Sequence, residues 1–215
     1  MSVQRRVTIF LSSPTDVQPE REAAERIVAR LAGIYSSYIS PSLERWERQF
    51  YEASKGFQES IAAMDTFDLV VGIVWKRIGS ELPPDKFRRD DGSAFESGTV
   101  YEIESAVAAN RRSEKPSVYV FRKTAAVMFT EAGVEQERQQ KQSLDAWWTR
   151  TFRDSGGHYV AAANEFSTVE DFEAKFENFL VDWLQQRKYI PSGPVWDVPT
   201  LGSPYPGLIA YDRDR

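Results

Sequence analysis

Residues 67–75 read FDLVVGIVW, the most continuous apolar run of this 215-residue chain. A short run that is apolar on both faces fits a central strand of a parallel sheet, covered by helices above and below. Outward from it, strand and helix patterns alternate. Residues 6–12 (RVTIFLS) form a compact β-rich run ending in Ser12-Ser13-Pro14-Thr15-Asp16, where Thr15 or Asp16 offers a helix cap. Ala24, Ile27, Val28 and Leu31 then recur at helical spacing, a strand is expected over residues 39–46, and residues 57–64 read as a short amphipathic helix.

Beyond the apolar run comes a polar, Pro-containing loop over residues 76–97. A helix over about 99–111 carries Val100, Ile103, Ala106 and Val107 on one face, and Pro116 opens a strand at 117–122. A helix over about 134–153 is very polar at its start, and Trp147-Trp148 supply its buried contact. A last strand is read at 158–163. Residues 168–186 then form a strong helix with Phe172, Phe176, Phe179, Leu180 and Trp183 on one stripe. Five strands alternating with helices imply right-handed crossovers. The expected fold is therefore a three-layer α/β, flavodoxin-like domain with a central five-stranded parallel sheet, its ligand at the carboxyl ends of the strands. The domain is read as residues 1–190. Five of the eleven prolines fall between Pro191 and Pro206, so residues 191–215 read as a Pro-rich linker towards a further module.

Composition narrows the function. The chain is 41% hydrophobic and carries a net charge of −5, with no basic block longer than a dipeptide or so, so no nucleic-acid partner is expected. Neither a signal-peptide pattern nor an apolar run of about 20 residues occurs, so the reading is a cytoplasmic domain with no membrane partner. Cysteine is absent and His158 is the sole histidine, which removes thiolate and His-cluster metal sites and leaves carboxylates, hydroxyls, Lys, Arg and Tyr for chemistry. His158 itself reads as a surface or packing residue, and residues 135–142 as a solvated helical face.

Two segments carry candidate chemistry. Trp75-Lys76-Arg77-Ile78-Gly79 places an aromatic face and two cations after the central strand, suited to a nucleotide with an anionic group; the alternative is a packed Trp75 with solvated cations. In residues 96–104 (ESGTVYEIE), Thr99 and Glu102 match a T-x-x-E capping box, in which the acid reaches back to the helix start. That alone accounts for both residues; the other reading makes Glu102 a functional carboxylate.

Residues 7–16 (VTIFLSSPTD), followed by Glu20-Arg21-Glu22-Ala23, resemble the start of TIR-like domains found at the N-terminus of bacterial STAND NTPases. Residues 96–106 (ESGTVYEIESA) are similar to the acid-x-Gly-x-x-x-Glu pattern of nucleoside 2-deoxyribosyltransferases. Residues 203–211 (SPYPGLIAY) look like the entry peptide of a STAND NTPase module, whose P-loop does not occur in these 215 residues. The resemblance implies an antiviral effector domain, switched on when a fused NTPase assembles it into oligomers. It implies NAD+ as substrate, with no cofactor, and Glu102 as the catalytic residue for N-glycosidic bond cleavage. It further implies that Glu96 orients the substrate, that Ser12 and Ser13 line the pocket, and that Ser97 answers to a serine ahead of the glutamate. Trp75, Arg77 and Thr99 complete the expected substrate side. A non-catalytic adaptor and a nucleoside N-glycosidase or deoxyribosyltransferase are the alternatives.

Overall fold

The computed structural model describes residues 4–45, 64–153, 156, 158 and 163–192. Five parallel strands make one sheet in the order β2-β1-β3-β4-β5: β1 Arg5–Ser12, β2 Ile39–Glu44, β3 Leu69–Val74, β4 Ser117–Lys123 and β5 Asn164–Phe166. Among the described residues four helices connect and cover them: α1 Gln18–Ile34, α2 Gly98–Ser113, α3 Val134–Phe152 and α4 Val169–Gln186. This is the three-layer, flavodoxin-like α/β architecture.

All six residues of β3 are buried. Alternation of side chains along the strands then sorts the layers. Ile9, Leu11, Val71, Ile73 and Phe121 point to the face covered by α1 and α4, where Phe172, Phe176, Leu180 and Trp183 form the inward stripe. Each such side chain removed from water stabilises the fold by about 1.5–3 kcal/mol. Val74 and Val120 face α2 and α3, meeting Val100, Ile103, Leu144, Trp147 and Trp148. Helix α2 comes so close to β3 that a Cβ on Gly72 would lie 2.8 Å from Ile103 Cδ1.

Several expectations shift. Neither Thr15 nor Asp16 caps α1. A single 3-10 turn, Thr15–Val17, leads into that helix with no side-chain cap, because the Asp16 carboxylate is committed to the loop after β3. Strand β2 ends at Glu44, and Trp46 lies outside the described residues, as does the expected helix at 57–64 except for Met64, which opens a 3-10 turn. Residues 159–162 of the expected last strand also lie outside them. The strand that pairs with β4 is Asn164–Phe166, where Phe166 packs into the core and its carbonyl accepts from Thr124 N at 2.8 Å. Among the described residues no helix is long and apolar enough to cross a membrane.

The amino edge of the sheet is closed by Asp68, 7% exposed. Its Oδ2 accepts from Thr8 N at 2.8 Å and Thr8 Oγ1 at 3.0 Å, and Lys115 Nζ lies 2.9 Å from Oδ1. Burial alone would push this carboxyl up; the Thr8 amide and Lys115 outweigh it and hold it below the usual aspartate range. A lowered folded-state pKa means stability that is present above the unfolded value and is lost as pH falls through the folded one. Asp68→Asn is therefore expected to destabilise the protein by about 1–2 kcal/mol at pH 7 in denaturant titrations, with the gap closing in acid below the ordinary aspartate pKa. An equal gap at pH 7 and pH 2.5 would refute this role.

Candidate functional site

The loops that follow β1 and β3 meet the first turns of α2 and α3 at the carboxyl edge of the sheet. Val100, Ile103 and Ala106 hold α2 against the strands. Its Glu102, one turn in, is thereby carried to the end of β1. Glu102 is 2% exposed, and its Oε2 accepts from Ser12 Oγ at 2.6 Å. A hydroxyl on a carboxylate at that distance is a short, charge-assisted hydrogen bond. Ser13 beside it is also buried, its Oγ without a hydrogen-bond partner among the described residues.

The capping box read from Thr99 and Glu102 does not form. Helix α2 starts at Gly98, so the N-cap is Ser97, whose backbone is extended and whose Oγ accepts from Val100 N at 3.2 Å. A capping box on Ser97 needs an acid at position 100, where valine stands. The Ser97 hydroxyl also donates to Ile78 O at 2.5 Å, and Gly98 N donates to Ser80 O at 3.0 Å, so the β3 loop lies flat on the helix start. Gly79 makes that possible. Its φ is +114°, and a Cβ there would sit 2.8 Å from Thr99 Oγ1 and 3.1 Å from Ser97 Oγ. Ser97 and Thr99 are thus engaged in seating the loop.

Glu96 is not brought to Glu102. Its carboxylate pairs with Arg89 at 2.6 Å and Arg150 at 2.8 Å. Arg89 also holds Glu104 through Nε at 2.7 Å and Nη2 at 3.0 Å, and Glu104 accepts from Trp147 Nε1 at 2.9 Å. Positions 102 and 104 are about 200° apart around a helix, so this cluster occupies the opposite side of α2 from Ser12. Burial alone would push the Glu96 carboxyl up; the hydrogen bonds from Arg89 and Arg150 hold it below the usual range.

Asp16 is a site residue that sequence reasoning left as a candidate cap. Its Oδ2 accepts from Lys76 N at 3.0 Å and Arg77 N at 3.1 Å, tying the turn after β1 to the loop after β3, while Oδ1 is buried without a hydrogen-bond partner among the described residues. Burial pushes its carboxyl above the usual range against the pull of those amides and of Arg77. Next to it opens a cleft of about 420 Å³, lined by Asp16, Trp75, Lys76, Arg77, Glu137 and Gln140 among others. Trp75 is fixed by its Nε1, which donates to Ala125 O at 3.1 Å. Lys123 Nζ lies 4.6 Å from the Trp75 ring centre and pairs with buried Glu20 at 2.6 Å. Glu137 and Gln140 belong to the segment read as a solvated face. Instead, Gln140 Oε1 accepts from Ile78 N at 3.2 Å and Glu137 lies 3.5 Å from Lys76 Nζ. Their i, i+3 spacing on one helical face was the signal that could have found them.

Trp75 and Arg77 therefore line the cleft, Ser12 joins Glu102 in a buried pair at its own place on the rim, and Glu96 stands apart from both. Among the described residues no group of three or more His, Asp or Glu could hold a metal ion. No protein-family model matches the chain, and no curated protein matches it.

Replacing Ser97 with alanine removes both the helix cap and the clip to Ile78. The expected cost is about 1–2 kcal/mol in equilibrium unfolding, with faster hydrogen exchange at the Val100 amide. Unchanged exchange there would show that the cap lies elsewhere.

Proposed function

We propose that the chain is a TIR-like effector domain that cleaves the N-glycosidic bond of NAD+ when a fused STAND NTPase clusters it. The observation that carries this reading is the Ser12–Glu102 hydrogen bond. The carboxylate is held across the carboxyl edge of the sheet, where ligands of such sheets bind, and the helix start is capped without it.

A carboxylate so fixed favours positive charge developing on a neighbouring ribose. As the bond from C1′ to the pyridinium nitrogen breaks, its electron pair neutralises that nitrogen and nicotinamide departs uncharged, so no general acid is required. Water then adds at C1′ and releases a proton, giving ADP-ribose. The Ser12 hydroxyl orients the carboxylate, and a buried setting strengthens its field on the oxocarbenium-like transition state.

Glu102 is 2% exposed, so a sugar reaches it only after the groups over it move. That suits a domain silent as a monomer and active when a neighbouring subunit reshapes the rim, with assembly supplying a high effective concentration. The proposed setting is cytoplasmic, in antiviral defence. The same burial favours a second reading, an adaptor that oligomerises or recruits without turnover.

The chain fused to an oligomerising partner and incubated with NAD+ separates the two. The clustered protein is expected to deplete NAD+, and Glu102→Gln, which still accepts from Ser12, to slow it at least about 100-fold with little change in melting temperature. Depletion by the Gln variant at the parental rate would remove Glu102 from catalysis. No turnover by the clustered parent would leave the adaptor. Release of bases from a nucleoside panel, with NAD+ untouched, would point to a nucleoside N-glycosidase or deoxyribosyltransferase.

A further inference from the structure

Glu102 is 2% exposed at the very edge of the sheet where ligands of such folds bind, so whatever covers it governs access. A helical side chain leans over the turn that precedes its own Cα, which for Glu102 is the turn of Gly98 and Thr99. The chain after β3 lies on that turn. Gly98 N donates to Ser80 O at 3.0 Å, and a Cβ added at Gly98 would lie 4.0 Å from Leu82 Cδ2. One added at Gly79 would lie 2.8 Å from Thr99 Oγ1.

From there residues 80–96 cross to the other side of α2, where Arg89 latches them. Its Nε and Nη2 donate to Glu104 at 2.7 and 3.0 Å, Nη2 also to Glu96 at 2.6 Å, and Nη1 to Ala94 O at 2.8 Å. The guanidinium lies 4.5 Å from the Phe95 ring centre, and Phe87 and Phe95 both meet Tyr101 edge-on, at 5.2 and 5.1 Å. One side chain thus joins both limbs of the segment to the helix. Little else of the segment is buried. Of residues 80–96 only Phe87 is out of water, and their one strand-like pairing is an isolated bridge between Arg88 and Ala94. A stretch with so little buried surface opens locally while the sheet and helices stay folded. Gly79, at φ +114°, stands at one end of it with the backbone freedom of a pivot.

We propose that residues 80–96 are an autoinhibitory strap, held shut by Arg89, that lifts before a substrate reaches Glu102. The proposal rests on the reading of Glu102 as the reacting carboxylate, and it names the device that keeps a lone domain silent.

Two measurements test it, the first independent of turnover. A water-soluble carbodiimide with an amine nucleophile modifies accessible carboxylates, and peptide mass spectrometry reads each site in the full 215-residue chain. Glu102 is expected to be protected in the parent and labelled about tenfold faster in Arg89→Ala. Arg89→Lys, which keeps the charge without the fork, should give a smaller gain. Glu20, 0% exposed on α1, is the control and should stay protected throughout. Unchanged labelling of Glu102 in both variants, or equal gains at Glu102 and Glu20, would overturn the proposal. In the second, the absence of cysteine lets Leu82→Cys and Gly98→Cys be joined by a short bis-maleimide. In the clustered chain that link is expected to abolish NAD+ depletion, whereas the same protein with each thiol capped singly retains it. Turnover untouched by the link would refute the strap. Arg89-dependent labelling of Glu102 with no NAD+ turnover in any clustered form would uphold the strap and discard the catalytic reading instead.

Discussion

A strand buried along its whole length dictates the rest of this molecule. Every side chain of β3 is out of water, so each face of the sheet needs a helical layer, and the parallel crossovers supply one. Gly72, with no side chain on the α2 face, lets that helix settle close to the strand. The depth of α2 is what brings Glu102 within hydrogen-bonding reach of the last residue of β1. A bulkier residue in β3 would lift the helix, and with it the carboxylate.

The same helix divides its acids. Glu104, together with Glu96 just ahead of the helix, is drawn into the Arg89, Arg150 and Trp147 cluster on the side facing α3. The hydrogen bonds to Glu104 and Glu96 raise Arg89 above its ordinary pKa despite partial burial, so this guanidinium stays charged and fastens the long loop after β3 to α2. Glu102, about 200° round the helix from Glu104, accepts from the Ser12 hydroxyl. Its recorded hydroxyl partner on β1 gives it a different chemical setting from its neighbour two residues on.

Much of the fold was legible in the sequence, because it follows from periodicities set by burial. FDLVVGIVW became the central strand, and the Phe172–Trp183 stripe became the inward face of the last helix. What was not legible turned on competition between equivalent partners. Thr15 and Asp16 have the chemistry of caps, but the amides of Lys76 and Arg77, distant in sequence, claimed the Asp16 carboxylate. Ser97 and Thr99 are both cap-forming types, and a two-residue difference in the N-cap position decided which of them does it. The site was readable to a similar extent. Trp75 and Arg77, which follow β3, line the cleft, whereas Ser12 is buried at the end of β1 outside it, and Gln140 and Glu137 reach the cleft only by the packing of α3.

The carboxylates that pin the β1–β3 seam behave in opposite ways at its two ends. At one rim Asp68 sits below its ordinary pKa, so its charge supports the native state; at the other, burial lifts Asp16 above it, so its charge opposes folding at neutral pH. The domain is thus anchored by its base and kept under tension at its mouth. A donor brought to Asp16 Oδ1, which has no hydrogen-bond partner among the described residues, would offset that cost and stabilise the fold from this end.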